Sequence, residues 1–188
     1  MFIFVSGGAR SGKSEWAEQT TVALSQDAPR VYLATAQVTD EDMRRRVARH
    51  QAARSGRGFR TLERTRDLSG IFPAIPPDAA VLLLECLPNW LANEMFREDG
   101  SVCEPTLLEE KIFRAALALK ERCRHLLIVS DDIFSDGVTY DETTESYRRL
   151  LGRLHVRLAG TADVAVECVA GLARFAKGAL RFEPSVLL

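Results

Sequence analysis

The chain lacks an excess of charge of either sign. Its 188 residues carry 25 basic and 26 acidic side chains, a formal net charge of −1. Proteins that hold nucleic acid through its phosphates usually concentrate positive charge, so this balance argues against a general electrostatic grip on DNA or RNA. The sequence also lacks an apolar run long enough to cross a bilayer, and no basic segment with a cleavage site opens it. We therefore expect no membrane span and a cytoplasmic location.

Cysteine is scarce and scattered. The four residues Cys86, Cys103, Cys123 and Cys168 form no C-x-x-C pair, which argues against a zinc or dithiol motif. Most lie in or beside apolar runs, where reduced core thiols are expected. With 46% hydrophobic residues, the chain is long enough to bury a sizeable core. One domain spanning residues 1–188 is the expected organisation.

The most informative stretch is a glycine-rich octapeptide that fits the pattern G-x-x-x-x-G-K-[ST]. An apolar run at residues 2–5 precedes it and a helical segment follows to about residue 25, which is the context this phosphate-binding loop requires. Loop N–H groups would surround a polyphosphate, the lysine would reach its terminal phosphates, and the serine hydroxyl would complete the shell of a Mg²⁺ ion. The sequence thus predicts a nucleotide-binding loop made of Gly7, Gly8, Ala9, Arg10, Ser11, Gly12, Lys13 and Ser14.

Short apolar runs alternate with longer helical stretches along the rest of the chain. Strands are predicted at residues 2–5, 30–35, 60–63, 79–84, 125–129 and 163–169, and helices at 15–25, 40–53, 88–96, 107–123 and 142–159. This alternation predicts an α/β fold with a mostly parallel sheet, right-handed crossovers and helices on both faces. Residues 171–177 are expected to return antiparallel as a C-terminal hairpin. Ligands of such sheets bind beyond the carboxyl ends of the strands.

Several polar residues follow predicted strands and so should meet at that edge. Glu85 directly follows an apolar strand and resembles the acidic residue that holds Mg²⁺ in nucleotide-binding folds, so it is predicted to share the ion with Ser14. The alternative is a strand-terminal carboxylate that faces solvent. For Asp131 and Asp132 three roles stay open: metal binding, contact with a hydroxyl substrate, or none.

His50 lies on a predicted helix with Arg46 one turn before it and Arg54 one turn after it. A neutral imidazole among guanidiniums can attack a bound triphosphate and form a phosphoramidate. A histidine on the same face as apolar side chains is, however, also typical of a buried structural residue. Spacing alone leaves both interpretations open. His125 and His155 lack such arginines and are expected to be structural or surface residues.

The sequence resembles the bifunctional adenosylcobinamide kinase/adenosylcobinamide-phosphate guanylyltransferase family of cobalamin biosynthesis, and the likeness covers nearly the whole chain. The pairing of the glycine loop with R-x-x-x-H on a later helix is its most specific part. The segments that carry it are residues 7–14, 32–36, 40–43, 46–50, 60–63, 84–87, 90–93, 158–159, 162–163 and Gly171.

The resemblance implies a RecA-like P-loop NTPase domain that assembles as a homotrimer. Its enzymes phosphorylate the aminopropanol hydroxyl of adenosylcobinamide with ATP or GTP. They then transfer GMP from GTP to that phosphate and release pyrophosphate, giving adenosylcobinamide-GDP. By this resemblance His50 is the histidine that becomes guanylylated and Lys13 serves the kinase step. The nucleotide-binding set is completed by Thr35, Arg46, Arg54, Glu63 and Glu85.

The chain departs from the family pattern at three places. Asp131-Asp132-Ile133-Phe134 stands where Asn-Glu followed by Val-Gly is usual, His155 replaces a common Asn, and Phe59 replaces a common Trp. These positions lie on the expected substrate side, so whether both activities are retained stays open. The glycine loop is unaffected.

Two other functions are compatible with the residues. One is a P-loop kinase for another small metabolite, with His50 as a structural residue. The other is a RecA-like ATPase or nucleic-acid-binding module that uses the arginines of residues 44–60 on phosphate backbones. The near-neutral charge and the lack of aromatic residues among these arginines count against the second.

Overall fold

The computed structural model describes residues 1–38, 40–97, 99–134 and 137–180. Within the helix over residues 41–54 it describes the backbone, but not the side chains of Asp42, Met43, Arg46, Arg49, His50 and Ala53.

Strands and helices alternate along the described chain. The strands are β1 (Phe2–Gly7), β2 (Arg30–Ala34), β3 (Phe59–Glu63), β4 (Val81–Glu85), β5 (His125–Asp131), β6 (Val164–Val169) and β7 (Leu172–Lys177). The α-helices are α1 (Lys13–Ser25), α2 (Glu41–Arg54), α3 (Leu87–Met95), α4 (Pro105–Lys120) and α5 (Glu142–Thr161), and a 3₁₀ helix spans Leu68–Ala74.

The seven strands form one sheet in the order β3-β2-β4-β5-β1-β6-β7. All pairs are parallel except β6 with β7, which are antiparallel. The predicted mostly parallel sheet and the C-terminal hairpin are therefore confirmed. The hairpin turn is the dipeptide Ala170-Gly171, with φ of 50° and 82°, and positive φ at both central residues is the turn type that matches the twist of two antiparallel strands.

Helices cover both faces of the sheet. One face carries Ile3, Val5 and Leu83, which pack against Trp16 and Ala17 of α1. The other face packs against α3, α4, α5 and the 3₁₀ helix, and its core includes the fully buried Trp90 and Ile112. Because the central strands are buried on both sides, they read as continuous apolar runs rather than as alternating ones.

Some element boundaries differ from the sequence-based expectation. The 3₁₀ helix over residues 68–74 is not among the helices predicted above; Asp67 precedes it with a left-handed backbone, and its side chain caps no N–H group but accepts a hydrogen bond from the Ser69 hydroxyl. Helix α4 ends at Lys120 rather than at residue 123, since the N–H of Arg122 turns back to the Leu119 carbonyl. Strand β5 is longer than predicted and reaches Asp131, paired with Gly7.

The register of the strands gathers the predicted site residues at one edge. Gly7 lies beside Asp131, while Ala34 lies between Glu63 on one side and Glu85 on the other. All are at the carboxyl ends of parallel strands, as the sequence predicted. Among the described residues, no helix combines the length and apolar character needed to cross a membrane.

Candidate active site

The glycine loop connects β1 to α1 by a tight turn. A side chain at Gly7 would lie 2.5 Å from the Cys168 carbonyl oxygen, and Gly12 has a φ of 90°, so the turn requires glycine at both positions. The Ser11 carbonyl accepts from the N–H of Gly171 at 3.0 Å, which ties the loop to the β6–β7 turn. The loop is therefore held by its neighbours while the N-terminus of α1, with its unpaired N–H groups, follows directly.

Lys13 is the first residue of α1, and its side chain is buried. Its ammonium group donates to the Gly8 carbonyl at 3.1 Å and forms an ion pair with Asp131 at 2.5 Å. An ammonium has three N–H donors, so these two contacts leave one for a ligand. Asp131, whose role the sequence left open, thus sits against the loop lysine at the end of β5.

Ser14 and Glu85, predicted to share one metal ion, are in direct contact. The Ser14 hydroxyl donates to Oε1 of Glu85, while Oε2 is buried without a hydrogen-bond partner. Burial raises the pKa of Glu85 to about 7, although the Ser14 hydrogen bond and the Lys13 charge oppose this shift. Glu85 is thus not a carboxylate facing solvent.

A cavity of about 120 Å³ opens at these residues. Its walls come from the glycine loop and α1, from the ends of β2, β3, β4 and β5, and from one face of α2. The residues that line it are Lys13, Ser14, Tyr32, Ala34, Ala36, Val47, Gln51, Arg54, Thr61, Glu63, Glu85, Cys86, Asn89 and Asp131. It brings together the predicted residues Lys13, Ser14, Arg54, Glu63 and Glu85.

Helix α2 contributes Val47, Gln51 and Arg54 to this cavity. The Arg54 guanidinium is buried over the Tyr32 ring, with its carbon 3.5 Å from the ring centre. The predicted side chains of Arg46 and His50 lie outside the described residues. By helical spacing, position 50 shares the face of Val47 and Arg54.

Thr35 links the ends of strands β2 and β4 by hydrogen bonds. It is fully buried, and its hydroxyl donates to the Cys86 carbonyl and accepts from the Cys86 N–H, each at 2.8 Å. The described contacts of Thr35 therefore join the ends of β2 and β4, and its role toward a nucleotide stays a prediction.

Sequence reasoning did not single out Tyr32, Gln51, Cys86 and Asn89 as cavity residues. Gln51 lies one turn from Val47 on the predicted helix, so helical spacing could have placed it on the cavity side. Asn89 lies in the first turn of the helix that follows Glu85, at the carboxyl edge of the sheet. Tyr32 reads as an ordinary strand residue, and only the tertiary structure shows that it supports Arg54.

Behind Asp131, the end of β5 is tied to α5. The fully buried Ser130 hydroxyl lies 2.6 Å from Nε2 of His155, and the His155 ring contacts Phe4 and Phe134 edge to face. The Asp132 carboxylate accepts from the Phe134 N–H at 3.0 Å, which shapes the turn after β5. His155 is therefore a structural residue that supports the strand carrying Asp131.

This histidine predicts a pH dependence of stability. Burial lowers the pKa of His155 from 6.5 to about 4, so between these values the unfolded chain binds a proton that the folded chain does not. The folded state thus loses on the order of 2–3 kcal/mol as the pH falls from 6.5 to 4, and keeps this contribution above 6.5. Urea unfolding of wild type and His155→Gln should give a stability difference that shrinks through this window; a constant difference would contradict the assignment.

Comparison with known proteins identifies the family of this chain. Residues 3–175 match the family described as cobinamide kinase / cobinamide phosphate guanyltransferase. The chain is 34% identical to the bifunctional adenosylcobalamin biosynthesis protein CobU of Salmonella typhimurium over 182 residues, covering 92% of this chain and 97% of that protein. The chain is 30% identical to CobU of Escherichia coli over 181 residues, which cover 92% of this chain and 97% of that protein. The chain is 32% identical to CobP of Pseudomonas aeruginosa over 174 residues, which cover 93% of this chain and 96% of that protein.

The fold has a solved counterpart in the KaiC-like protein PH0186 of Pyrococcus horikoshii. The TM-score is 0.51 at 14% identity, covering 88% of this chain and 69% of that one, so the likeness concerns the fold alone. The parallel sheet, the glycine loop at its edge and the match over residues 3–175 lead to one assignment. The chain belongs to the cobinamide kinase / cobinamide phosphate guanyltransferase family.

Proposed function

We propose that this chain is a bifunctional transferase of cobalamin biosynthesis. It phosphorylates the aminopropanol hydroxyl of adenosylcobinamide with ATP or GTP, and then transfers GMP from GTP to the new phosphate through a guanylylated His50. The product is adenosylcobinamide-GDP. The observation that carries the proposal is the meeting of Lys13, Ser14 and Glu85 beneath the helix that bears His50, in a chain of this family.

The kinase step draws on the glycine loop. The hydroxyl oxygen of the corrinoid attacks the γ-phosphorus, the bond to the β-phosphate oxygen breaks, the nucleoside diphosphate leaves, and the hydroxyl proton is released to solvent. Lys13 and the N-terminus of α1 stabilise the charge that develops on the phosphoryl oxygens. Asp131 orients the Lys13 ammonium, since the two groups are 2.5 Å apart.

The residues at the loop fit a magnesium ion. Mg²⁺ prefers oxygen ligands and is commonly held by one or two protein groups together with substrate phosphates. Ser14 supplies a hydroxyl, and Glu85 supplies a buried carboxylate oxygen that lacks a hydrogen-bond partner. Within the described ranges, no group of three or more His, Cys, Asp or Glu could hold a metal. When bound, the ion would neutralise phosphate charge, with Ser14 and Glu85 as its protein contacts.

This arrangement predicts the behaviour of Glu85→Gln. The amide oxygen can still accept from Ser14, and the buried charge disappears, so thermal stability should stay equal or rise. The Mg²⁺ concentration for half-maximal kinase activity should rise roughly tenfold or more, because an anionic ligand is lost. Magnesium titration of kinase turnover, with melting curves, measures both; Glu167→Gln on β6 is the control. A lower melting temperature with an unchanged magnesium requirement would make Glu85 a structural residue.

The guanylyl step needs a nucleophile near the bound triphosphate. A nitrogen of His50 attacks the α-phosphorus of GTP and pyrophosphate leaves; a phosphate oxygen of the phosphorylated corrinoid then displaces the histidine. Imidazole suits this role because it is neutral near pH 7 and can carry a phosphoryl group. The position of residue 50 supports the proposal, since its helical neighbours Val47 and Arg54 line the cavity.

Incubation with labelled GTP tests the proposed function. Label in the α-phosphate should stay on the protein, resist base and be released by acid, as a phosphorus–nitrogen bond requires. Label in the γ-phosphate should leave with pyrophosphate, and addition of adenosylcobinamide phosphate should discharge the α-label into adenosylcobinamide-GDP. Folded protein that takes up no α-label in the presence of Mg²⁺ would refute the guanylyl-histidine route.

The assembly and location are also part of the proposal. Following the family resemblance, we propose a single catalytic domain that assembles as a homotrimer in the cytoplasm. Light scattering on the purified protein measures the oligomeric state directly, and a monomer at micromolar concentration would refute the trimer.

A further inference from the structure

The last residue of helix α2, Arg54, is a buried contact between this helix and the rest of the protein. Among the described side chains of α2, Val47 is half-buried and Arg54 is buried, whereas the others are exposed: Glu41, Arg44, Arg45, Ala48, Gln51 and Ala52. The contacts of Arg54 therefore fix the C-terminal end of α2 against the rest of the protein.

Those contacts converge on Glu18 of α1. Glu18 is only 4% exposed, a rare environment for a carboxylate unless it is paired. Its Oε1 lies 3.7 Å from a terminal nitrogen of Arg54, and its Oε2 accepts from Arg57 at 3.1 Å. The N–H of Arg57 in turn donates to the Arg54 carbonyl at 3.0 Å. One buried carboxylate thus holds both the end of α2 and the turn that follows it.

The opposite side of Arg54 is also fixed. The carbon of its guanidinium lies over the Tyr32 ring, 3.5 Å from the ring centre, so the side chain is held between a strand residue and a helix carboxylate. Glu18 itself lies one helical turn after Ser14, on the helix that begins at the glycine loop. The clamp of Glu18, Arg54, Arg57 and Tyr32 therefore joins α1 directly to α2.

We infer that Glu18 is a positioning residue for guanylyl transfer. Residue 50 lies one turn before Arg54, so a clamp at Arg54 sets the distance between His50 and the N-terminus of α1, where the triphosphate binds. Covalent attack demands close alignment of nucleophile and phosphorus, and a shift of about 1 Å can cost on the order of 100-fold in rate. The proposed kinase step draws on Lys13, Ser14 and the N-terminus of α1, and the ion pairs of the clamp are made by Glu18 with Arg54 and Arg57 rather than by these groups. This inference rests on the proposed function.

The test compares two reactions in the same protein. Glu18→Gln removes the charge that pairs both arginines, and Glu15→Gln on the exposed face of α1 is the matched control. Single-turnover formation of the His50 adduct from α-labelled GTP should slow about 10- to 100-fold in Glu18→Gln. Kinase turnover should change less than about threefold, because Lys13 and Ser14 are untouched. Arg57→Ala, which removes one of the two pairs, should give an intermediate adduct rate.

Hydrogen exchange adds a readout that does not depend on activity. Amides of residues 41–54 should exchange faster in Glu18→Gln than in wild type or Glu15→Gln, while β1 and β5 keep their protection. Equal adduct rates in wild type and Glu18→Gln would overturn this inference alone. A parallel loss of both activities with a lower melting temperature would overturn it in favour of a merely structural role. Absence of any adduct in the wild type would overturn the proposed function and this inference with it.

Discussion

Lys13→Ala is expected to lower kinase turnover by roughly 10²–10³-fold, or about 3–4 kcal/mol of transition-state stabilisation. The buried ammonium of Lys13 lies at the end of the glycine loop, held by the Gly8 carbonyl and by Asp131. The ammonium is therefore oriented before the phosphoryl group arrives. A buried charge that is already in place stabilises the transition state more than a solvated one does. Removal of the side chain leaves the backbone N–H groups of the loop as the donors to the phosphates.

The fold should survive this change, because the Asp131 side chain is 27% exposed and can be hydrated after losing its partner. Lys13→Arg should not restore turnover, since a planar guanidinium cannot take the place of a compact ammonium in a side-chain site that is only 8% exposed. Lys177→Ala is the control: that ammonium also donates to a backbone carbonyl, of Gly160, but on the edge strand β7. Kinase turnover within threefold of wild type in Lys13→Ala would exclude the loop from the mechanism.

The parts of the cavity whose arrangement could be predicted from the sequence are those set by local geometry. The run at residues 2–5, the glycines and the Lys13-Ser14 pair determine a strand, a turn and a helix start within a few residues. Glu85 was predictable because it ends an apolar strand, and the carboxyl ends of parallel strands meet at one edge. The contact between Ser14 and Glu85 joins residues 71 positions apart, yet it follows from these two local rules.

The parts that the sequence did not predict depend on packing between distant elements. Glu18 reads as a solvent-facing helix residue because an amphipathic pattern does not reveal which carboxylate will meet two arginines. The role of Asp131 stayed open because a carboxylate at a strand end is compatible with a metal, a substrate or a lysine. The strand order was not derivable either, since it is set by pairings between segments far apart in the chain.

The structure shows what two of the departures from the family pattern, Asp131 and His155, contact. Asp131 stands where an Asn is usual, and it adds a negative charge against Lys13. His155 stands where another Asn is usual and reaches the buried Ser130 hydroxyl behind it. Asp131 lines the cavity from the end of β5, whereas His155 lies on α5 behind that strand. Asp131 therefore changes the charge around the Lys13 ammonium, and the expectation that these departures leave the glycine loop unaffected is wrong at this position. His155 acts through the end of β5.

His50→Asn is expected to abolish the covalent GMP adduct completely. An amide nitrogen is not nucleophilic, because its lone pair is delocalised, so no phosphorus–nitrogen bond can form at this position. The substitution is similar in size and keeps a hydrogen-bonding group, and the clamp at Arg54 is untouched. Helix α2 and GTP binding should therefore be retained. Lys13 and Ser14 are unchanged, so phosphorylation of adenosylcobinamide should continue while conversion to adenosylcobinamide-GDP stops.

The measurement is autoradiography after incubation with α-labelled GTP, with kinase turnover and melting temperature determined on the same preparation. His125→Asn is the control, since His125 begins β5 at the opposite edge of the sheet and should keep the full adduct. An adduct that persists in His50→Asn would assign the nucleophile to another residue. Loss of both activities together with the folded state would instead make His50 a core residue, and leave the kinase step as the only activity assigned to the cavity.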